Sequence, residues 1–291
     1  MKIPLQLIAP AGKASEENLK ASESTMANYG YELKKDFFQY APVSYLASKD
    51  ESRLSSLEQA WLSDEAVICL RGGYGCTRLL DKIDWNKLRS KQNILIGHSD
   101  ITALHLAFLK HGIKRSISGI MAAAEFTRKP DDLITLSSFR QCLEGLSFQH
   151  EWIPTYNSNT LFSAEGKLIP VTLSVLCSML GSNHIPDFSK SILVLEDINE
   201  PAYKIDRMLT QLKLANIPQV CNAIIMGNFN NCGDSTELHR IFADFASDLN
   251  APVISDLPFG HCLPRLNLPV GAHAQIKYQS TATLKVTGHL L

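Results

Sequence analysis

The stretch Asn93-Ile94-Leu95-Ile96-Gly97-His98-Ser99-Asp100-Ile101-Thr102-Ala103-Leu104 narrows the choice of fold more than any other part of the chain. Ile94, Leu95 and Ile96 predict a buried strand, and Gly97 permits a sharp turn. Apolar residues at 101, 104, 106, 108 and 109 predict the helix that follows. Ser99 then stands where a parallel strand ends and a helix begins, the place where open α/β sheets keep ligands and nucleophiles. The geometry resembles a nucleophile elbow, which holds a serine hydroxyl exposed beside free helix N–H groups. Ile101 occupies the place of the second glycine of G-x-S-x-G. Ser99 and Asp100 would serve equally well as helix caps. This stretch by itself leaves both readings open.

The remainder of the first half repeats the strand–helix alternation. Residues 3–9 predict a strand, 15–28 a helix with Ser15 as N-cap, 31–38 an extended segment and 48–62 a polar-faced helix. Ala66-Val67-Ile68-Cys69-Leu70 is apolar throughout, as a strand covered on both faces should be. Residues 116–121 form another strand-to-loop step, and the whole alternation predicts a doubly wound sheet. The pattern changes after about residue 130: a helix over 133–146, a polar linker over 148–161, then a region of mixed elements. In that region strands are predicted at 191–196, 223–226, 252–254, 274–277 and 283–286, and an amphipathic helix at 203–215. We therefore divide the chain into a nucleophile domain, 1–155, and a C-terminal domain, 156–291.

A formal net charge of −1 gives no general attraction for nucleic acid or anionic membrane, so neither is expected as a partner. No apolar run approaches the roughly 20 residues a membrane helix needs, and the first ten residues lack a signal-peptide core. Seven cysteines without a CxxC pair suit a reduced, cytoplasmic protein, and zinc is not expected.

Three further motifs could carry chemistry. Arg71-Gly72-Gly73-Tyr74-Gly75 turns from strand to helix and leaves backbone N–H groups bare for an anion, although a plain tight turn would look the same. It matches neither the dinucleotide fingerprint nor the Walker loop. Glu196-Asp197-Ile198-Asn199-Glu200 delivers three carboxylates at a strand end, able to bind a metal, orient a histidine or simply be solvated. His261 lies in the loop after residues 252–254, a suitable place for a general base. His98 adjoins Ser99 but should point away from it, and His273 sits among small apolar residues like a core histidine. Ser99, Glu196 and His261 could form a Ser–His–acid set, which geometry and not chain order defines. Cys76 and Cys262 are the alternative nucleophiles.

These motifs, together with Arg207-Met208-Leu209 and Leu268-Pro269-Val270-Gly271-Ala272-His273-Ala274, resemble the bacterial LD-carboxypeptidases over nearly the whole chain. These are muramoyltetrapeptide carboxypeptidases, to which the microcin C self-immunity peptidase is related. The resemblance implies an α/β protein: a Rossmann-like (flavodoxin-like) parallel-sheet domain, and a C-terminal mixed domain with a small β-barrel-like core. It implies a homodimer and no cofactor. Carried over residue by residue, Ser99 is the nucleophile, Glu196 the orienting acid and His261 the general base. The oxyanion hole falls on the backbone N–H groups of Gly73 and Asp100, and Arg71, Gly72 and Tyr74 are candidates for substrate binding. The implied activity is release of terminal D-Ala from murein tetrapeptide in cytoplasmic peptidoglycan recycling. The alternative is hydrolysis of peptidyl- or aminoacyl-nucleotide conjugates. The terminal carboxylate would need a cation, with Arg71, Arg78, Arg207 and Arg265 available. Two departures stand out: Ser118-Gly119-Ile120-Met121 where the family has Gly-Pro, and Pro170-Val171-Thr172-Leu173 where a Gly-Gly-Asn-Leu turn is expected near the substrate cleft.

Overall fold

The computed structural model describes residues 2–128 and 131–288. Its first half runs β1 (Ile3–Ile8), α1 (Glu16–Asn28), β2 (Tyr31–Lys34), α2 (Asp50–Trp61), β3 (Ala66–Cys69), α3 (Trp85–Arg89), β4 (Leu95–Gly97), α4 (Thr102–Lys110), β5 (Ser116–Ser118) and α5 (Leu133–Leu143). The second half follows with β6 (Phe148–Trp152), β7 (Phe162–Thr172), α6 (Leu173–Met179), β8 (Ser191–Ile198), α7 (Ala202–Leu214), β9 (Ala223–Asn230), α8 (Ser235–Ala246) and β10 (Val253–Ile254). Three short strands complete it: β11 (Leu268–Val270), β12 (His273–Tyr278) and β13 (Ala282–Val286).

Six strands form the first sheet in the order β11-β5-β4-β3-β1-β2, with β1 to β5 parallel. That is the flavodoxin order, whose ligand crevice opens where the winding reverses between β1 and β3. Val67, Ile68 and Cys69 of β3 are fully buried, as a strand with helices on both faces demands. Side-chain caps start the helices where the sequence places Ser15 and Asp132, which accept from the N–H groups of Asn18 and Thr135. Helix α4 is buried from Thr102 to Phe108, so it lies inside the molecule and not on its surface.

The second sheet has seven strands in the order β10-β9-β8-β7-β12-β13-β6. It stays open, with β10 and β6 at its edges, where the resemblance had implied a barrel-like core. Residues 148–161 are also not wholly linker. Phe148 and Trp152 face the core, and β6 pairs antiparallel with β13. Strand β11 crosses the other way and pairs antiparallel with β5 in the first sheet. Gly271 N–H donates to Leu168 O at 2.7 Å and Leu168 N–H to Ala272 O at 2.8 Å, so this crossing segment is also stitched to β7. All seven cysteines are free, and six are buried. Among the described residues no helix is long and apolar enough to cross a membrane.

Candidate active site

Strand β4 ends at Gly97, and a 3-10 turn, Ser99–Ile101, leads into α4. Ser99 holds φ at +62°, a left-handed conformation costing a non-glycine residue roughly 1–3 kcal/mol and typical of a strained functional turn. The capping role open to Ser99 and Asp100 is not taken. The turn has no side-chain cap, and the Asp100 carboxylate instead accepts from Cys76 N–H at 2.8 Å. Burial pushes the Asp100 carboxyl up, opposed by the Cys76 hydrogen bonds. As the second residue of the turn, Asp100 keeps its own N–H ahead of the first internal bond, Ile101 N–H to His98 O.

The loops after β1 and β3 close on this serine. Gly12 N–H donates to Gly72 O at 3.1 Å, and a Cβ on Gly72 would lie 2.8 Å from Ser99 Cβ. Only glycine lets the loop come this near. Gly73 is exposed beside it. Buried Arg53 braces the same loop through the Pro10 and Gly75 carbonyls and the Asp50 carboxylate.

Glu196 arrives from β8, almost fully buried. A bulge between Leu195 and Asp197 shifts the register there, and the neighbouring acids diverge. Glu196 Oε2 lies 2.8 Å from His261 Nδ1, while Asp197 accepts from Ser174 N–H at 2.7 Å at the start of α6. Burial would raise the Glu196 carboxyl, but the hydrogen bond and charge of His261, with Thr172, hold it below its usual range. Burial prevails at Asp197, pushed up to about 6. Glu200, the third acid, pairs with Lys204 at 3.0 Å. Thr172 Oγ1 donates to Glu196 Oε1, and Thr172 N–H donates to Thr102 Oγ1 at 3.3 Å. Gly260 has φ +129°, and a Cβ there would strike Glu196 at 2.9 Å.

His98 is buried, and its ring lies 4.7 Å from that of His261 between centroids. Its Nε2 is 2.8 Å from Glu125 Oε1, and Glu125 Oε2 accepts from Met121 N–H at 3.1 Å. Burial drives His98 down to about 4, so it is neutral against an ionised Glu125. The histidine that packs on His98 is therefore the one that Glu196 orients. His261 is thus brought beside the residue that precedes Ser99. The Ser99 hydroxyl makes no hydrogen bond among the described residues; serine–histidine contacts of this kind commonly tighten only with substrate bound.

Neither alternative thiol suits nucleophilic work. Cys76 is fully buried, with its pKa well above the ordinary thiol range, and burial raises Cys262 to about 11. His273 is exposed on β12, not packed in the core. Arg71 donates to Lys13 O at 2.8 Å, and Tyr74 is exposed, 5.7 Å from Tyr45 between ring centroids. Sequence reasoning missed Glu125 and saw Thr172 only as a departure, without its role. Arg265, offered there for a terminal carboxylate, is instead buried near His98, over the Phe259 ring at 5.4 Å.

A flavodoxin-ordered sheet with a strained serine at a strand end, and a buried carboxylate–histidine pair packed on the residue before that serine, is an arrangement that can carry out acyl transfer. Residues 5–119 match the family described as LD-carboxypeptidase N-terminal domain, and residues 165–276 the LD-carboxypeptidase C-terminal domain. The murein tetrapeptide carboxypeptidase of Pseudomonas aeruginosa is 33% identical, over 93% of this chain and 92% of its own. The crystal structure of muramoyltetrapeptide carboxypeptidase from Oxalobacter formigenes superposes with a TM-score of 0.88 at 31% identity, covering 98% of each chain. The microcin C7 self immunity protein MccF shares the fold, with a TM-score of 0.86 at 19% identity over 99% of this chain and 97% of its own. The chain belongs to the LD-carboxypeptidase family and is a carboxypeptidase.

Proposed function

We propose that this carboxypeptidase is a serine enzyme that releases terminal D-Ala from murein tetrapeptide in cytoplasmic peptidoglycan recycling. One observation carries the reading: His261, held at 2.8 Å by buried Glu196, packs its ring 4.7 Å from that of His98, the residue before the strained Ser99. The Glu196 carboxylate accepts from His261 Nδ1–H, which leaves Nε2 unprotonated to take the Ser99 proton as the hydroxyl attacks the scissile carbonyl. The resulting imidazolium is stabilised by Glu196 and returns its proton to the leaving amine. The N–H groups of Gly73 and Asp100 meet the developing oxyanion, about 3–4 kcal/mol for one well-placed donor. Water, activated by the same histidine, then releases the acyl group. Gly72 supplies the close approach, and Arg71 and Tyr74 border the bound peptide. The working unit is a homodimer.

The test is D-Ala release from murein tetrapeptide by the purified protein beside Ser99→Ala. A loss of about 10⁴-fold or more supports the nucleophile assignment, and equal activity in both proteins overturns it. A second reading, hydrolysis of aminoacyl-nucleotide conjugates, is favoured by the exposed Tyr45–Tyr74 pair beside the glycine loop, a platform on which a base could stack. The same assay with an acyl-sulfamoyl nucleoside separates the two readings.

A further inference from the structure

A cavity of about 390 Å³ opens next to the glycine loop, its polar lining made by Arg71, Arg128, Asn18, Ser15 and Thr127. Among the described residues no carboxylate lines it; Glu16 and Glu17, in the first turn of α1, stay outside. Neither arginine joins an ion pair among the described residues. Arg71 uses Nη1 on Lys13 O, and its Nη2 stands 4.0 Å from where a Gly73 Cβ would be. The guanidinium therefore lies beside the amide assigned to the oxyanion. The other candidate arginines are differently placed. Arg78 is held by Asp50 at 3.0 Å, Arg265 is buried over Phe259, and Arg207 sits on α7 and does not line this cavity.

We infer that this cavity is the receptor for the C-terminal carboxylate of the peptide, held by Arg71 with Arg128, and that it makes the enzyme an exopeptidase. The inference rests on the serine peptidase reading above. In a substrate cut before its last residue, three bonds separate the scissile carbonyl carbon from the carboxyl carbon. The receptor for that carboxylate must then lie within a few ångströms of the oxyanion amides, as Arg71 does. Two unpaired guanidinium forks facing one space match a planar carboxylate, and an amide or ester in its place would leave them without an anion. Alanines at 14, 123 and 124 complete the wall and present no polar atoms beyond the backbone.

The experiment compares murein tetrapeptide with its C-terminal carboxamide, which keeps the scissile bond and removes the charge. Wild type should prefer the free acid by about 100-fold in kcat/KM. Arg128→Gln should raise KM for the acid about 10- to 100-fold and move kcat/KM for the carboxamide by less than about threefold, and Arg71→Gln should raise KM for the acid at least as far. Arg71→Lys, which keeps charge but not the fork, should fall between. Among the described residues Arg128 makes no side-chain hydrogen bond, so its replacement should leave the fold in place even if the Arg71 variants unfold, which a thermal melt of each variant checks. Equal cleavage of both substrates by wild type, or variants that lose both equally, overturns the receptor and leaves the Ser99 mechanism standing. Cleavage of neither substrate by wild type overturns the peptidase reading, and the receptor with it.

Discussion

The imidazole of His98 meets that of His261 edge to face, 4.7 Å between centroids and 65° between planes. His98 is itself held by Glu125, so two carboxylate–histidine pairs pack against each other behind the serine turn. Burial drives His98, and equally His105, down to about 4 from the ordinary 6.5. Between those values the unfolded chain binds more protons than the folded one, so stability rises with pH across that window and is lost as pH falls from 6.5 toward 4. Urea unfolding from pH 8 to pH 4 should give a plateau above about 6.5. Below it the two rings supply a slope of two protons, about 3 kcal/mol per pH unit, from which Asp197, pushed up to about 6, takes back about one below pH 6. His98→Gln should remove one proton, about 1.4 kcal/mol per pH unit, from that slope. A flat profile through the window would contradict the buried neutral state of both rings.

Thr172 stands where the family's Gly-Gly-Asn turn is expected, and its hydroxyl donates to the carboxylate that holds His261. Thr172→Val keeps the shape but leaves Glu196 Oε1 buried without that donor, at a cost of about 1–3 kcal/mol. We expect kcat to drop about tenfold with KM little changed, and Thr172→Ser to restore it. Steady-state kinetics on one substrate across the three proteins decides this.

Gly72→Ala places a methyl 2.8 Å from Ser99 Cβ. The backbone must retreat, and misplacing a nucleophile by about 1 Å costs on the order of 10²-fold in rate. Activity should therefore fall at least that far while the melting temperature falls by only a few degrees. Unchanged turnover would mean that the loop is not packed on the serine in solution.

Arg53 is fully buried yet charged, joined to Asp50 at 2.7 Å and to the Gly75 carbonyl at 3.0 Å. Arg78 first, then Arg53, holds Asp50 down at about 2. That stabilisation is present above the ordinary carboxyl value of 3.8 and is lost as pH falls toward 2. Arg53→Met leaves the buried Pro10 and Gly75 carbonyls without their donor while Asp50 keeps Arg78, and should destabilise by about 2–4 kcal/mol. Chemical denaturation at neutral pH measures it, and a loss under about 1 kcal/mol would rule out the brace.

Much of this architecture was legible because burial on both faces leaves no room for polar residues. The apolar runs at 66–70 and 191–195 announce themselves as β3 and β8, and a glycine followed by Ser99 marks the turn into α4. What escaped was written in weaker signs. The first half of β7, Phe162-Ser163-Ala164-Glu165-Gly166-Lys167, alternates only in burial and not in obvious hydrophobicity. Strand β6 has apolar residues only at its two ends, and β11 is three residues long. His98 and Glu125 form their pair across 27 residues of chain, with the acid in an alanine-rich loop. No local pattern encodes such a meeting. Thr172 looked like a departure because the hydroxyl's partner lies on another strand.

Strand β11 gives the chain a temporal order. The sheet carrying Ser99 presents a bare β5 edge until residues 268–270 arrive to cover it, and Glu196 and His261 are both made before that seal closes. A nascent chain thus holds a serine with no base, next to an open strand that invites pairing with other molecules. Competence and protection come together, once residues 261–270 have been made. For the same reason a cut between the two sheets separates an uncovered edge from the strand made to cover it. The severed pieces should be recovered as a reassociated whole or as aggregate, and not as two independent folds.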